Sequence, residues 1–240
     1  MGRSSGRPVA KALALIALFI LVCFPLTAAA QSSLLVGAGL FTENSDVEGV
    51  ERIAVSESER NFDYGSDGFL SASVRYLRAS SSSIYLGGGL SYFGTYRALL
   101  DQGEDTPDPP NSYEFGPLLE ILGQVEWRVG VIEGLDLALG TQLGLALLFP
   151  DGDLKAEIKR LESQNVGVWS LPRPGYFVAP LIGARWKLDD RLALRGDLLF
   201  KWERIHLLGI DETVDGVPFE RTSQSNVLRT EFVFGIEILL

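Results

Sequence analysis

Apolar and polar residues alternate strictly over the last ten residues of the chain, which read EFVFGIEILL. A period of two places successive side chains on opposite faces of a β-strand. One face carries only large apolar side chains, namely Phe232, Phe234, Ile236, Ile238 and Leu240. The other face includes the carboxylates of Glu231 and Glu237. The pattern predicts a strand whose two faces meet different environments.

The same alternation recurs in seven earlier segments. In each of them one parity is aliphatic or aromatic, and the other parity mixes Gly, Ser and Ala with charged residues. The predicted strands lie near 33–42, 68–78, 83–96, 115–129, 135–149, 176–187 and 192–203, and the eighth is the C-terminal stretch with Arg229 added to its polar face. Short strands with this patterning predict an all-β protein.

Long and short connections alternate between these strands. The long ones are 43–66, 98–112, 150–174 and 207–225, which are polar and rich in acids, and the short ones are 79–82, 131–133 and 188–190. In an antiparallel up-and-down barrel, alternate connections emerge at the same end, so all long loops share one rim. Within the third long loop, Leu154, Ile158 and Leu161 fall on one helical face and predict a short helix that caps the barrel.

The start of the chain has the pattern of a secretory signal peptide. Three basic residues precede an apolar run from Ala12, and the sequence TAAAQ offers a cleavage point after Ala30. This predicts a signal peptide over 1–30 and a single barrel domain over 31–240. The alternative is a membrane-anchor helix, because the apolar run is almost long enough to span a bilayer. Pro25 and the lack of a basic stop favour cleavage.

Cleavage changes the charge and the cysteine content of the chain. Arg3, Arg7 and Lys11 leave with the signal peptide, so 18 Lys and Arg remain against 31 Asp and Glu, a net charge of −13. Such a charge argues against nucleic acid as a partner. The single cysteine, Cys23, also leaves. The exported chain is therefore expected to fold without disulfides.

The composition of the two strand faces indicates which one meets lipid. A soluble, lipocalin-like periplasmic lipid-binding barrel, which is the alternative, would crowd its mixed face with Lys, Glu and Thr. The small residues found there instead suit a narrow lumen. Aromatic residues on the aliphatic face predict two interfacial bands, with Tyr76, Trp127 and Trp186 near the short-turn rim and Tyr92, Tyr96, Phe149, Tyr176 and Trp202 toward the long-loop rim.

The alternation over 33–240 and the segment GARWKLDDRLALRGDLLFKW, with its tight turn at Asp189 and Asp190, resemble the small eight-stranded outer-membrane β-barrel superfamily. That group includes the membrane domain of outer membrane protein A and the opacity proteins. The resemblance implies an eight-stranded antiparallel transmembrane β-barrel in contact with outer-membrane lipids and lipopolysaccharide. It also implies that the barrel assembly machinery recognises residues 231–240, although family members usually end on an aromatic residue and this chain ends on Leu240.

Charged residues on the mixed face predict an ion-pair network inside the barrel. A lumen tolerates charges only when they are paired or hydrated. The expected members are Arg75, Glu126, Arg128, Arg185, Arg195, Asp197, Arg229, Glu231 and Glu237. Asp197, Glu126 and Glu237 are expected near the short-turn end. A structural network is favoured over a pore gate, because eight strands leave too narrow a lumen for general diffusion.

The leading functional hypothesis is a non-enzymatic outer-membrane barrel that displays acidic loops for adhesion, ligand contact or envelope integrity. The second is an outer-membrane lipid-modifying hydrolase or acyltransferase centred on His206, the only histidine. Asp211 and Ser223 share its loop but show no recognisable catalytic spacing. Asp151 and Asp153 give a turn signature without the ligand order of a calcium loop, so no metal or cofactor is expected.

Overall fold

The computed structural model describes residues 31–54, 56–66, 70–100, 112–169, 171–214 and 216–240. The predicted signal peptide over 1–30 and most of the acidic connection 98–112 lie outside the described residues. Within the described part of the chain, no helix combines the length and apolarity needed to cross a membrane.

The described residues form strands almost throughout. The elements are β1 (Ser32–Ile53), β2 (Ser56–Ser66), β3 (Leu70–Ala79), β4 (Ile84–Leu100), β5 (Ser112–Ile132), β6 (Leu135–Leu148), α1 (Gly152–Ser163), β7 (Arg173–Lys187), β8 (Leu192–Val214) and β9 (Val217–Leu239). Each strand pairs antiparallel with its neighbours in one sheet, and β9 returns to pair with β1. The sheet is therefore a closed barrel, which removes its free edges.

The nine strands fill eight positions in the barrel wall. We call the end of the barrel with the short turns its lower end. The lower half of β1 pairs with β3, and its upper half pairs with β2. Strand β4 likewise pairs with β3 below and with β2 above. Strands β2 and β3 thus run in the same direction, one after the other, and together they form the single wall strand between β1 and β4. The predicted eight-stranded antiparallel barrel is confirmed, with its second position divided in two.

Two of the predicted long loops are strand rather than loop. Residues 45–53 and 56–64 pair as a hairpin within the connection assigned to 43–66. In the same way β8 and β9 stay paired as far as Val214 and Val217, across most of the connection assigned to 207–225. Both faces of these extensions carry polar residues, so the hydrophobic period that reveals a strand is missing. The wall consequently continues well beyond its apolar zone.

Side-chain exposure shows that the aliphatic face points outward. Leu139 on β6 is 48 % exposed, whereas Gln142 on the opposite face is 3 % exposed. The same division holds along β9, where Phe232 and Phe234 are exposed and Glu231 and Glu237 are buried. A soluble barrel would have the opposite arrangement, so the soluble alternative is wrong. An exposed aliphatic belt around a closed sheet is the surface that a bilayer requires.

Most of the residues assigned to the two aromatic bands lie on the outer face. Trp127 and Trp186 are exposed near the short turns, and Tyr92, Tyr176 and Trp202 are exposed toward the opposite rim, while Tyr76 and Phe149 are half-buried. The prediction for Tyr96 was wrong, because its side chain is inside the barrel and only 2 % exposed. The register shifts after Tyr92, where Gly94 adopts a φ of 55°. This bulge reverses the alternation of faces in β4.

Candidate functional site

Four arginines and four carboxylates form a charged layer inside the barrel near the short-turn end. The buried guanidinium of Arg195 is central to it: Arg195 Nη2 lies 2.5 Å from a carboxylate oxygen of Glu126, and Arg195 Nε lies 2.8 Å from one of Asp197. Arg75 on β3 also reaches Asp197 on β8, with 2.7 Å between Arg75 Nη2 and Asp197 Oδ2. Because these side chains come from three strands, the ion pairs join walls that are distant in sequence.

The layer continues around Glu237 on β9. Arg128 Nη1 and Arg185 Nε lie 2.9 Å and 3.0 Å from the Glu237 carboxylate, and Arg185 also contacts the partly exposed Asp136 at 2.7 Å. Gly183 provides space for this layer, since a Cβ there would lie 2.2 Å from Asp197 Oδ1. We define the lower ionic layer as Arg75, Glu126, Arg128, Asp136, Arg185, Arg195, Asp197 and Glu237.

An apolar layer separates the lower ionic layer from a second group of charges. It consists of Leu122, Phe177, Ala179, Leu181, Leu199 and Val233, which are all buried and in mutual contact. On β8, Leu199 stands between the inward side chains of Asp197 and Lys201. The inward residues of β8 therefore run from one charged pair, Arg195 and Asp197, through Leu199 to a second charged pair, Lys201 and Glu203.

The second group of charges is centred on Lys201. Its Nζ lies 2.7 Å from both carboxylate oxygens of Glu120 and 3.3 Å from Glu231. Ser71 Oγ donates a hydrogen bond to the other oxygen of Glu231. The ammonium group also faces the ring of Phe93, with 4.6 Å between Nζ and the ring centroid.

Arg229 completes this group on the β9 side. Its Nε contacts Glu43 at 2.9 Å, and its Nη1 contacts Glu203 at 3.2 Å and Glu120 at 3.4 Å. All these side chains are buried. We define the upper ionic layer as Glu43, Glu120, Lys201, Glu203, Arg229 and Glu231.

The nine predicted members of the ion-pair network all lie inside the barrel, but in two separate layers. Arg229 and Glu231 belong to the upper ionic layer and the other seven to the lower one. The prediction omitted four residues although their parity placed each of them on the inward face: Glu120, Asp136, Lys201 and Glu203. It assigned Glu43 to a loop. The missing signal was long-range pairing, which one sequence does not display.

Above the upper ionic layer, helix α1 closes the interior. The prediction that Leu154, Ile158 and Leu161 share a buried helical face is confirmed. Leu154 and Ile158 pack in an apolar cluster with Phe93, Phe115 and other inward residues of the wall. Helix α1 therefore plugs the end of the barrel opposite the short turns.

Polar contacts attach this plug to the wall. Tyr113 Oη donates a hydrogen bond of 2.8 Å to Glu157 on α1, and Arg221 on β9 also donates to Glu157. Burial, followed by the negative charge of Glu157, raises the pKa of Tyr113. The phenol therefore remains a donor throughout the physiological pH range. Glu51 on β1 pairs with Arg221 at 3.4 Å, which links the plug to two more strands.

Replacing Ile158 with Asp is expected to release the plug while leaving the barrel folded. A carboxylate at this buried position would have no partner, and its burial costs several kcal/mol. Trypsin should then cleave within α1, which contains Lys155 and Lys159, at least ten times faster than in the wild type. The matched control is Ala156→Asp on the exposed face of the same helix. Equal cleavage of the two variants would contradict the packing described for the plug.

No protein-family model matches the sequence, and no curated protein does. Among solved structures, the outer membrane protein OprG from Pseudomonas aeruginosa superimposes with a TM-score of 0.54 at 10 % identity, over 88 % of this chain and 96 % of that chain. This chain has the fold of a small outer-membrane β-barrel.

Two further outer-membrane barrels are similar at lower scores. The outer membrane protein AlkL, solved by solid-state NMR in DMPC bilayers, has a TM-score of 0.44 at 16 % identity and covers 90 % of this chain and 95 % of that chain. Neisserial surface protein A has a TM-score of 0.37 at 13 % identity, with coverages of 83 % and 96 %.

The outer-membrane barrel fold puts His206 on the outer wall. Its side chain is exposed, and its ring lies 6.5 Å from that of Tyr176 in the upper aromatic band. No hydrogen bond or ion pair joins His206 to a hydroxyl or a carboxylate in the described part of the chain. Strand pairing puts His206 opposite Gln224 and puts Ser223 opposite Leu208, with a bulge at Leu207 between the two pairs. This geometry lacks the nucleophile and base contact that the enzyme hypothesis needs.

Metal ligands are likewise not brought together among the described residues of the barrel. Among the residues with described positions, no group of three or more His, Cys, Asp or Glu side chains could hold a metal ion. Asp153 instead accepts a hydrogen bond of 2.8 Å from the backbone N–H of Glu114, and Asp151 pairs with Lys155 at 3.2 Å. These carboxylates fix the start of α1.

Proposed function

We propose that this protein is a closed, non-catalytic barrel of the outer membrane that works through its external β-hairpins. The observation that carries the proposal is the filled interior. Two ionic layers, an apolar layer between them and the plug α1 occupy the lumen from one end to the other. A lumen filled in this way stabilises the wall and leaves no wide water path for solutes.

The external part of the wall supports a role in surface contact. Strands β1, β2, β8 and β9 continue beyond the apolar belt and form one paired sheet there. Arg52 connects two of these strands, because it contacts Glu57 at 3.1 Å and Glu220 at 3.0 Å. An ordered sheet presents side chains to a partner at a lower entropic cost than a disordered loop does. We infer that adhesion or ligand contact uses this sheet.

Conductance measurements test the closed interior. In planar lipid bilayers, the folded wild-type protein is expected to give no stable channel steps, because its interior ion pairs and apolar contacts must break before ions pass. Heat-modifiable migration of the same preparation on a gel would establish that the barrel is folded. Reproducible unitary steps from that preparation would overturn the proposal of a closed barrel.

Protease shaving of intact cells tests the orientation of the external sheet. Trypsin should cleave at Arg52 on intact cells, while the exposed Arg191 in the short turn at the opposite end should be cut only after cell lysis. The reverse order would contradict the proposed topology.

A shortened β8–β9 hairpin tests the role of the external sheet in adhesion. Cells that carry the protein with 209–222 replaced by Asn-Gly are expected to lose surface adherence. Undiminished adherence would contradict a role for this hairpin.

Mass spectrometry of lipid A tests the alternative that His206 belongs to a lipid-modifying enzyme. Replacing His206 with Ala is expected to leave the lipid A species of the cell unchanged by mass spectrometry, since His206 has no catalytic partner among the residues described. A missing or altered lipid A species in cells with the variant would overturn the non-catalytic proposal.

A further inference from the structure

A cavity of about 800 Å³ lies where the pairing between β7 and β8 ends. The last pair in that ladder toward the external side is Gly175 with Ile205. Beyond it β8 continues with β9 alone, and the segment that precedes β7 passes beside the gap. Trp169 from this segment, Arg173 at the start of β7 and residues 206–209 of β8 line the cavity.

Arg173 is a buried cation that forms no ion pair with any residue that the structure describes. Its side chain is 4 % exposed, and its Nε and Nη2 atoms are buried without a hydrogen-bond acceptor among the residues described. Burial alone lowers the pKa of Arg173, with no contribution from a neighbouring carboxylate. In contrast, the buried arginines of the two ionic layers all contact acids. An unpaired buried guanidinium is unfavourable unless an anion neutralises it.

The acids that line the cavity do not serve as that anion. Glu48 accepts a hydrogen bond of 2.9 Å from Gln224, which also lines the cavity, and neither Glu48 nor the exposed Glu59 forms an ion pair with Arg173. Ser223 adds a hydroxyl group to the lining. The cavity therefore combines a cation that no lining carboxylate neutralises with neutral hydrogen-bonding groups and with two carboxylates, Glu48 and Glu59, that are not paired with it.

The apolar residues of the cavity lining and the height of the cavity relative to the bilayer indicate which kind of anion it binds. Trp169 and Leu207 add apolar surface to the lining. Arg173 stands three residues beyond Tyr176 of the upper aromatic band, or about 10 Å along the strand. Aromatic bands lie at the boundary between hydrocarbon and headgroups. The cavity therefore lies at the height of the charged headgroups of the outer leaflet. Because Arg173 shares the inward parity of Phe177, a headgroup reaches it through the gap where the pairing of β7 with β8 ends.

We propose that this cavity binds the phosphate headgroup of an anionic lipid through Arg173. A guanidinium matches two phosphate oxygens with a pair of parallel N–H donors, which a point charge cannot do. Apolar parts of the lipid contact Trp169 and Leu207, while the phosphate lies against Arg173. The proposal rests on the outer-membrane location, but it concerns one site, and a barrel without this site would still insert in the membrane.

Binding to short-chain lipids in detergent tests the proposal. The fluorescence of the protein, to which Trp169 contributes, is followed while dioctanoyl phosphatidic acid, dioctanoyl phosphatidylcholine or inorganic phosphate is added. The wild type is expected to bind phosphatidic acid at least ten times more tightly than either of the other two. Equal affinity for phosphatidic acid and inorganic phosphate would overturn the assignment to a lipid, and equal affinity for the two lipids would overturn the anion site.

A pair of variants locates the binding. Arg173→Gln is expected to weaken phosphatidic acid binding at least tenfold, whereas the matched change Arg191→Gln in the distant short turn should leave it unaltered. Heat-modifiable migration confirms that each variant is folded, so a failure to bind is distinguished from a failure of the barrel itself. Unchanged binding by folded Arg173→Gln would overturn the proposal, and the wild-type preference among the three probes decides it if that variant does not fold.

Discussion

Replacing Arg195 with Leu is expected to destabilise the barrel by about 3–5 kcal/mol, which is the cost of removing one partner from buried ion pairs. Arg195 contacts Glu126 and Asp197 directly, and its Nη1 lies 3.8 Å from Glu237. Its loss leaves negative charge in excess in a closed interior. The free energy of unfolding, obtained from urea titration of the barrel in lipid vesicles, measures the effect.

Two further variants separate charge from packing at this site. Arg191→Leu removes an exposed arginine from the short turn and should change stability by less than about 0.5 kcal/mol. Adding Glu126→Gln to Arg195→Leu restores the charge balance and should recover part of the lost stability, since Arg128 keeps its contact with Glu237. If the double variant were less stable than the single one, unbalanced charge would not be the cause of the loss.

A positive charge on the outer belt is expected to have a comparable effect by a different route. Leu139 pairs with Ile182, midway along β7 between the aromatic residues Tyr176 and Trp186. Leu139→Arg would place a guanidinium in the hydrocarbon belt between the two aromatic bands, where the cost in transmembrane β-barrels rises to about 2–4 kcal/mol toward the midplane. The same urea titration in vesicles measures the loss of stability.

The matched change outside the belt is Ile53→Arg. Ile53 is about as exposed as Leu139, at 46 %, but it lies at the end of β1 in the external sheet. Because water solvates an arginine there, the expected cost is below about 1 kcal/mol. Equal losses for Leu139→Arg and Ile53→Arg would contradict the immersion of the belt in hydrocarbon.

The sequence predicts the barrel wall well because its two faces have different solvents. Every second residue of a membrane strand must be apolar, so parity alone assigns Leu139 outward and Gln142 inward. The prediction for Tyr96 was wrong where one residue interrupts that parity. Gly94 takes a positive φ in a bulge, and one more glycine in a strand that already contains Gly87, Gly88 and Gly89 gives no sign of it.

The contents of the lumen are less predictable than its wall. Parity states that Glu120 and Lys201 face inward, but their mutual contact depends on how far each strand is displaced along its neighbour. The external strands escape prediction for a related reason. Residues such as Glu48 and Arg52 meet water on both faces, so nothing in their order distinguishes a paired strand from a loop. Arg173 similarly looks like an ordinary basic residue until its burial is known.

The length of the β8–β9 hairpin determines how far the protein extends from the lipid. Each of the two strands has 23 residues. At about 3.3 Å per residue and a tilt of about 40° they span about 58 Å of height, of which an apolar band accounts for about 25 Å. The tip between Val214 and Val217 therefore stands about 30 Å clear of the hydrocarbon. An approaching macromolecule meets the tip of this hairpin before it reaches the lipid surface.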